Sequence, residues 1–162
     1  MRTPSWRCPV AESSTVSWRD GASAETQADV DGLMRAALTL AAQRLTADGG
    51  FYPVAATLSR AGELVFLTGP ESLGDSPTTE EVLESLYAEA PAYAASQRAF
   101  AFVADVSDTD GRPGVRLEIE HKDGVALVLL VPYTRGAAGE PITYGEMHGA
   151  VRPMQIWTSS QR

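Results

Sequence analysis

The sequence predicts an α+β fold in which two helices pack on a mainly antiparallel sheet of five strands. Apolar residues recur at helical spacing in two segments, and short apolar runs separated by turn signals follow each of them. Consecutive runs joined by short turns pair locally, which favours antiparallel neighbours. The chain has 162 residues, of which 44% are hydrophobic, as expected for one domain with its own core. The predicted order is α-β-β-α-β-β-β, in a single domain over residues 29–162.

Residues 1–28 are predicted to form a flexible N-terminal arm. They contain Pro4 and Pro9 among many Ser, Thr and Ala residues and show no sustained hydrophobic period. A segment of this kind buries too little apolar surface to offset the entropy lost on ordering. We expect Trp6 and Trp18 to be its only anchors.

The first helix is predicted over residues 31–47. Asp29 or Asp31 can cap it by accepting from the free N–H groups of its first turn. Gly49 and the glycine after it end it. The apolar stripe that defines the helical period consists of Leu33, Ala37, Leu40, Ala41 and Leu45.

Two strands, residues 51–58 and 63–68, are predicted to follow as a hairpin with a glycine in its turn. A second helix then begins after Thr78, because Thr78 and Glu81 can form a capping box. Pro91 is expected to interrupt or kink this helix. Its core stripe is predicted to be Val82, Leu83, Leu86, Tyr87 and Ala90.

Three more strands complete the predicted sheet. Residues 98–106 form an apolar run, and residues 115–122 alternate between apolar and charged side chains, as in a strand with one wet face. Residues 125–131 are apolar on both faces, which is typical of a central strand. Near the C-terminus, residues 144–148 are predicted to form one helical turn.

In this order the elements resemble the roadblock and profilin-like folds over residues 31–135. The resemblance is carried by element order, without a diagnostic motif, so it assigns no functional residue. The three-strand meander also fits small secretion chaperones and bacterial immunity proteins. Among the 13 basic residues only Lys122 is lysine, and this bias with the alanine richness resembles GC-rich actinobacterial coding.

Charge and composition argue against several functional classes. The 13 basic and 21 acidic residues give a formal net charge of −8, which disfavours binding to nucleic-acid phosphates. The longest uncharged apolar stretch in the C-terminal half, residues 125–133, is far shorter than the ~20 residues of a membrane-spanning helix. Residues 1–9 lack the apolar core of a secretory signal, and Cys8 has no second cysteine to pair with. We therefore expect a cytoplasmic protein that binds neither nucleic acid nor membranes.

Catalytic and cofactor motifs are also missing from the sequence. It contains no phosphate-binding glycine loop, no G-x-S-x-G nucleophile string and no H-E-x-x-H zinc motif. No cofactor and no metal site is therefore predicted. Whether the protein is an enzyme stays open at this point.

One candidate site is the group Glu118, Glu120, His121, Asp123 and His148. A histidine beside a carboxylate is the minimum for general acid and base chemistry near neutral pH, so a small enzyme or a ligand-binding protein is one alternative. Side-chain alternation, however, puts His121 on the apolar face of its strand and both glutamates on the other face. This favours a structural histidine and a pair of solvated carboxylates.

The second candidate is an acidic surface on the second helix. Between Arg60 and Arg98 the chain has seven acidic residues and no basic one. Such a face is either simply solvated or a docking surface, since complementary charge accelerates and selects encounters. We favour a non-catalytic protein-binding domain, such as a scaffold, a regulator or an immunity-type protein, that binds a partner with a basic surface or associates with itself. The predicted contact residues are Glu80, Glu81, Glu84 and, as an aromatic anchor, Tyr87 or Tyr93.

Overall fold

A computed structural model describes residues 18–157 of the chain. Within these residues two α-helices and seven strands form an α+β fold, and all strand pairs are antiparallel. The predicted fold class is therefore confirmed. The helices are α1 (Ala24–Asp48) and α2 (Thr79–Tyr93), and the strands are β1 (Val54–Ser59), β2 (Leu64–Thr68), β3 (Gln97–Ser107), β4 (Pro113–His121), β5 (Val125–Thr134), β6 (Thr143–Tyr144) and β7 (His148–Val151).

The sheet has the order β2-β1-β3-β4-β5-β6, and β7 also pairs with β5. The prediction of five strands is wrong, because the tail after β5 is extended rather than helical at residues 144–148. Its two short strands pair with Thr134 and Tyr133 and with residues 127–130. The free N–H and C=O groups of an edge strand explain this, since they are a ready template for a further strand.

α1 begins earlier in the chain than predicted. Its N-cap is Ser23 rather than Asp29 or Asp31, and the Ser23 hydroxyl accepts from the N–H of Thr26 at 3.1 Å. Its end agrees with the prediction, because Gly49 adopts a φ of 77° and donates its N–H to the carbonyl of Leu45.

The early start of α1 shortens the region that can be an arm. Residues 18–28 were assigned to the arm by composition, but Trp18–Gly21 form a 3-10 turn and the next residues belong to α1. Trp18 packs partly buried against the core. Residues 1–17, including Trp6, lie outside the described residues, so the flexible arm stays a prediction there.

Two sides of the sheet are covered by different elements. The α1 face carries the first core cluster, in which Leu33 and Leu45 of α1 meet Leu117 and Ile119 of β4. The α2 face carries the second cluster, in which Leu86 of α2 packs with aromatic residues of β3 and of the C-terminal segment. The aromatic residues of the second cluster are Phe100, Phe102 and Trp157.

Neither helix in residues 18–157 has the length and apolar content needed to cross a bilayer.

Local sequence signals define α2 and the first hairpin well. The side chain of Thr78 accepts from the N–H of Glu81, and that of Glu81 accepts from the N–H of Thr78, so the predicted capping box is present. Gly62 closes the turn between β1 and β2 with a φ of 89°. Pro91 lies inside the last turn of α2, which ends two residues later at Tyr93.

Candidate functional site

His121 is a buried structural residue on the α1 face, as side-chain alternation predicts. It is 1% exposed. Its Nδ1 accepts from the backbone N–H of Asp123 at 3.1 Å, so the proton is on Nε2, which lies 2.9 Å from a carboxylate oxygen of Asp29. Arg98 donates to the other oxygen of Asp29 at 3.0 Å. This network joins the first turns of α1 to the end of β4 and leaves His121 no access to a substrate.

Asp123 supports the same junction from the turn after β4. Its carboxylate accepts from the hydroxyl of the buried Thr26 at 3.1 Å. Of these residues only Asp123 was predictable from the sequence as a partner of the histidine; Asp29, Arg98 and Thr26 were not. These partners come from distant parts of the chain, and only the packing of α1 on the sheet brings them together.

Glu120 is a fully buried carboxylate that holds the C-terminal segment, residues 152–157, against the sheet. Its oxygens accept from the backbone N–H groups of three successive residues, at 2.6 to 3.0 Å. The guanidinium of Arg152 lies 3.3 Å away and adds an ion pair. Successive N–H groups aimed at one point form a concave anion site. Here that site is filled by a side chain of the protein itself, and the three donors are Gln155, Ile156 and Trp157.

Glu118 lies beside it on the same face and is also engaged. The hydroxyl of Tyr87 donates to Glu118 at 2.8 Å, and the ring of Tyr87 stacks on Phe102 with 3.9 Å between centroids. Arg116 and Arg152 lie 3.5 and 3.8 Å from the Glu118 carboxylate. Burial, with the nearby Glu118 charge, raises the pKa of the Tyr87 hydroxyl far above its usual value. At neutral pH the Tyr87 hydroxyl therefore keeps its proton and donates the hydrogen bond to Glu118.

The prediction that Glu118 and Glu120 form a solvated strand face is wrong. Side-chain alternation correctly places them on the opposite face of β4 from His121, but α2 and the C-terminal segment cover that face of the sheet. The side chain of Glu118 is 13% exposed and that of Glu120 is completely buried. Both carboxylates are therefore occupied by contacts within the protein, with arginine side chains, the Tyr87 hydroxyl and backbone N–H groups. Neither is placed to attack or protonate a substrate.

His148 lies in a third place, apart from both groups. It is exposed on β7 and pairs with Leu130, near the opposite end of β4 from His121. It lines a cavity of about 260 Å³ together with Asp108 and Arg112, whose side chains bond to each other at 2.9 Å. The structure therefore does not bring the five residues of the predicted ligand site together. In the described part of the chain, no group of three His, Cys, Asp or Glu residues could hold a metal ion.

The acidic residues of α2 are arranged as the docking prediction requires. Glu80, Glu81 and Glu84 are exposed, while Val82 and Leu86 of the same helix are buried. None of the seven acidic residues between positions 63 and 89 takes part in an ion pair with another described residue. By contrast, the acidic residues of β4 and of the Asp108 loop are paired with arginines.

Of the two predicted aromatic anchors, Tyr87 is not exposed. It faces the sheet, and its hydroxyl is already bonded to Glu118. The other one, Tyr93 at the end of α2, is 46% exposed. An aromatic residue at a core-stripe position of a helix points inward, and the helical period already carried that signal.

The position of β2 at the edge of the sheet was not predictable from the sequence. Leu64, Val65 and Phe66 are 39%, 48% and 38% exposed, although the run looks like a buried strand. Among the described residues β2 pairs only with β1, and none of them pairs with its outer side. The sequence of an edge strand does not differ from that of an inner strand when both are apolar, and no local signal separates them.

A second cavity of about 260 Å³ lies at the C-terminal end of β2. Its walls come from the segment before β1, the loop after β2 and the first turn of α2. Gly69 is required there, because a Cβ at this position would lie 2.9 Å from a methyl group of Val82. The charged residues that line it are two carboxylates, Glu71 and Asp75, and one cation, Arg44.

Comparisons of the chain with protein-family models, with curated proteins and with solved structures found no significant match. The indications of function therefore come from the contacts within the protein itself. They assign the buried polar groups to the support of the fold. They leave the exposed acidic and apolar residues between β2 and α2, which no described residue neutralises or covers.

Proposed function

We propose that this protein is a non-catalytic protein-binding domain that recognises a partner with a basic surface. The supporting observation is the set of seven acidic residues between positions 63 and 89, which have no ion-pair partner among the described residues. We call this set the acidic surface. Its members are Glu63, Glu71, Asp75, Glu80, Glu81, Glu84 and Glu89.

Local helix chemistry accounts for only part of the acidic surface. Glu80 and Glu81 lie in the first turn of α2, where the helix dipole favours negative charge, and Glu81 also completes the capping box. Glu84 and Glu89 lie beyond that turn, and Glu63, Glu71 and Asp75 lie outside the helix. Clustered charge of one sign raises the local concentration of an oppositely charged partner and speeds its arrival.

The element order supports the same kind of role. The succession α-β-β-α-β-β-β, followed here by two short strands, is the feature that resembles roadblock and profilin-like folds. It also fits the chaperone and immunity types of protein named above. These classes act by binding other proteins. We place the protein in the cytoplasm, because residues 1–9 lack the apolar core of a secretory signal and Cys8 has no second cysteine to pair with. The order of elements alone does not choose between a scaffold, a regulator and an immunity protein.

The test compares two triple variants that lose the same charge. One carries Glu80→Gln, Glu81→Gln and Glu84→Gln on α2, and the control carries Glu25→Gln, Asp48→Asn and Glu146→Gln at exposed positions elsewhere. Partners captured from the native host with the wild-type chain are assayed for association rate at low and high salt. We expect the α2 variant to lose a large part of the salt dependence and the control variant to keep it. Equal salt dependence in the wild type and both variants contradicts the proposal.

A further inference from the structure

We propose that the free edge of β2 takes up an extended, basic segment of the partner as an additional strand of the sheet. This inference rests on the proposed function and specifies how the partner binds. Strand addition uses the backbone groups of an exposed sheet edge for affinity and neighbouring pockets for specificity. The edge, its apolar side chains and the charge at its two ends support the inference in turn.

The backbone of β2 has donors and acceptors available on its outer side. The N–H of Ser59 donates to the carbonyl of Glu63 at 2.8 Å, and the register then pairs Thr57 with Val65 and Ala56 with Phe66. Hydrogen-bonded and non-bonded pairs alternate along an antiparallel ladder. The N–H and C=O groups of even-numbered residues therefore point away from β1. These outward residues are Leu64, Phe66 and Thr68.

Within residues 18–157, β2 also lacks the devices that usually protect an edge strand. Lysine, proline, a bulge or a covering loop commonly prevent unwanted pairing. β2 contains neither lysine nor proline, its pairing with β1 runs without a register shift, and its first three side chains, all apolar, are exposed. Exposed apolar residues on an unprotected edge mark a place where another chain can pair.

Charge at both ends of β2 selects a basic segment. Glu63 precedes the strand, and Glu71 and Asp75 line the cavity that follows it. A paired segment of five residues spans roughly 17 Å, so a basic side chain at each end can reach one of these acidic groups. Arg44 also lines the cavity, but nearby Arg60 is turned away and donates to the carbonyl of Ala95 at 2.6 Å.

The same charges disfavour a second copy of this chain as the occupant. Antiparallel pairing of two β2 strands about Phe66 would place Glu63 opposite Gly69 of the other copy, close to its Glu71. Both copies also carry a formal net charge of −8. Like charges placed opposite each other across strands are destabilising, whereas a basic segment gains from the same positions.

The test uses synthetic heptapeptides and the full chain. The first peptide alternates arginine and valine, the second alternates glutamate and valine, and the third is the first peptide with every backbone nitrogen methylated, so that neither of its edges can donate to β2. The protein variant is Phe66→Pro, which removes an outward N–H and leaves the bonds from Val65 to β1 in place. Phe66→Thr is the matched control, since it shortens the side chain and keeps the N–H. Binding is measured by calorimetry, and circular dichroism verifies the fold of each variant.

We expect the arginine peptide to bind the wild type and Phe66→Thr, and to bind Phe66→Pro at least tenfold more weakly. The methylated peptide should lose at least tenfold in affinity for the wild type. Because methylation changes the peptide and not the protein, this arm remains decisive if Phe66→Pro does not fold.

Three outcomes overturn the inference. Equal binding of the methylated and unmethylated peptides excludes strand addition but leaves the acidic surface as the site of docking. Equal binding of the arginine and glutamate peptides excludes a basic occupant and contradicts the proposed function as well. A dimer in sedimentation at micromolar concentration that Phe66→Pro abolishes would instead assign the edge to a second copy of the chain.

Discussion

Two groups of closely spaced acidic residues in this protein have opposite environments in the fold. Glu118 and Glu120 on β4 are buried and bonded to arginines, a tyrosine and backbone N–H groups. Glu80 and Glu84 on α2 are exposed and have no ion-pair partner among residues 18–157. The first group therefore stabilises the structure, and the second is available to an external partner. A carboxylate gains a role from what surrounds it, which the spacing alone does not reveal.

The largest expected effect is that of Glu120→Ala on stability. The substitution leaves three backbone N–H groups and the buried guanidinium of Arg152 without their acceptor. Removing one partner of a buried ionic group costs about 3–5 kcal/mol in the free energy of unfolding. Urea denaturation should show this loss, while the control Glu80→Ala should lose less than about 1 kcal/mol. Equal losses would mean that the two acidic groups do not differ as described.

A smaller effect is expected from Tyr87→Phe. It removes the hydrogen bond to Glu118 and keeps the ring on Phe102, so the loss should be about 1–2 kcal/mol. Tyr93→Phe, at an exposed position, is the control and should change the free energy of unfolding by less than about 0.5 kcal/mol.

The same pair of variants gives a pH test with a definite sign. Burial raises the pKa of Tyr87 in the folded protein, so the unfolded chain loses its proton first, at about pH 10. The contribution of Tyr87 is then complete below pH 10 and is lost as the pH rises through the higher folded pKa. The difference in stability between the wild type and Tyr87→Phe should therefore narrow above pH 10. A difference that widens there would contradict the burial of this hydroxyl.

The smallest expected effect on stability is that of the triple variant on α2. Replacing Glu80, Glu81 and Glu84 by glutamine weakens the interaction with the helix dipole but also removes the like-charge pair Glu80 and Glu84. Glutamine can keep the capping box at position 81. In thermal unfolding, the free energy of unfolding of the triple variant should differ from that of the wild type by no more than about 1 kcal/mol. A loss of several kcal/mol would show that these residues support the fold.

The two helices show how much of the fold could be predicted locally. The box between Thr78 and Glu81 and the positive φ of Gly49 are properties of a few adjacent residues, and both predictions are confirmed. The start of α1 was misplaced because Ser23 caps the helix ahead of its apolar stripe. Capping and turn interactions involve only three or four adjacent residues, so predicting them does not require knowledge of the tertiary packing.

The sequence by itself also determined which side chains share a face of β4, because alternation follows from strand geometry. His121 is therefore buried beside Leu117 and Ile119, as predicted. Only the tertiary structure decided what covers each face and which strand lies at the edge. Glu120 is buried by residues 155–157, and β2 is exposed because β1 pairs with β3 on its other side. Both outcomes depend on contacts between distant parts of the chain, and burial is a property of those contacts rather than of the local residue pattern.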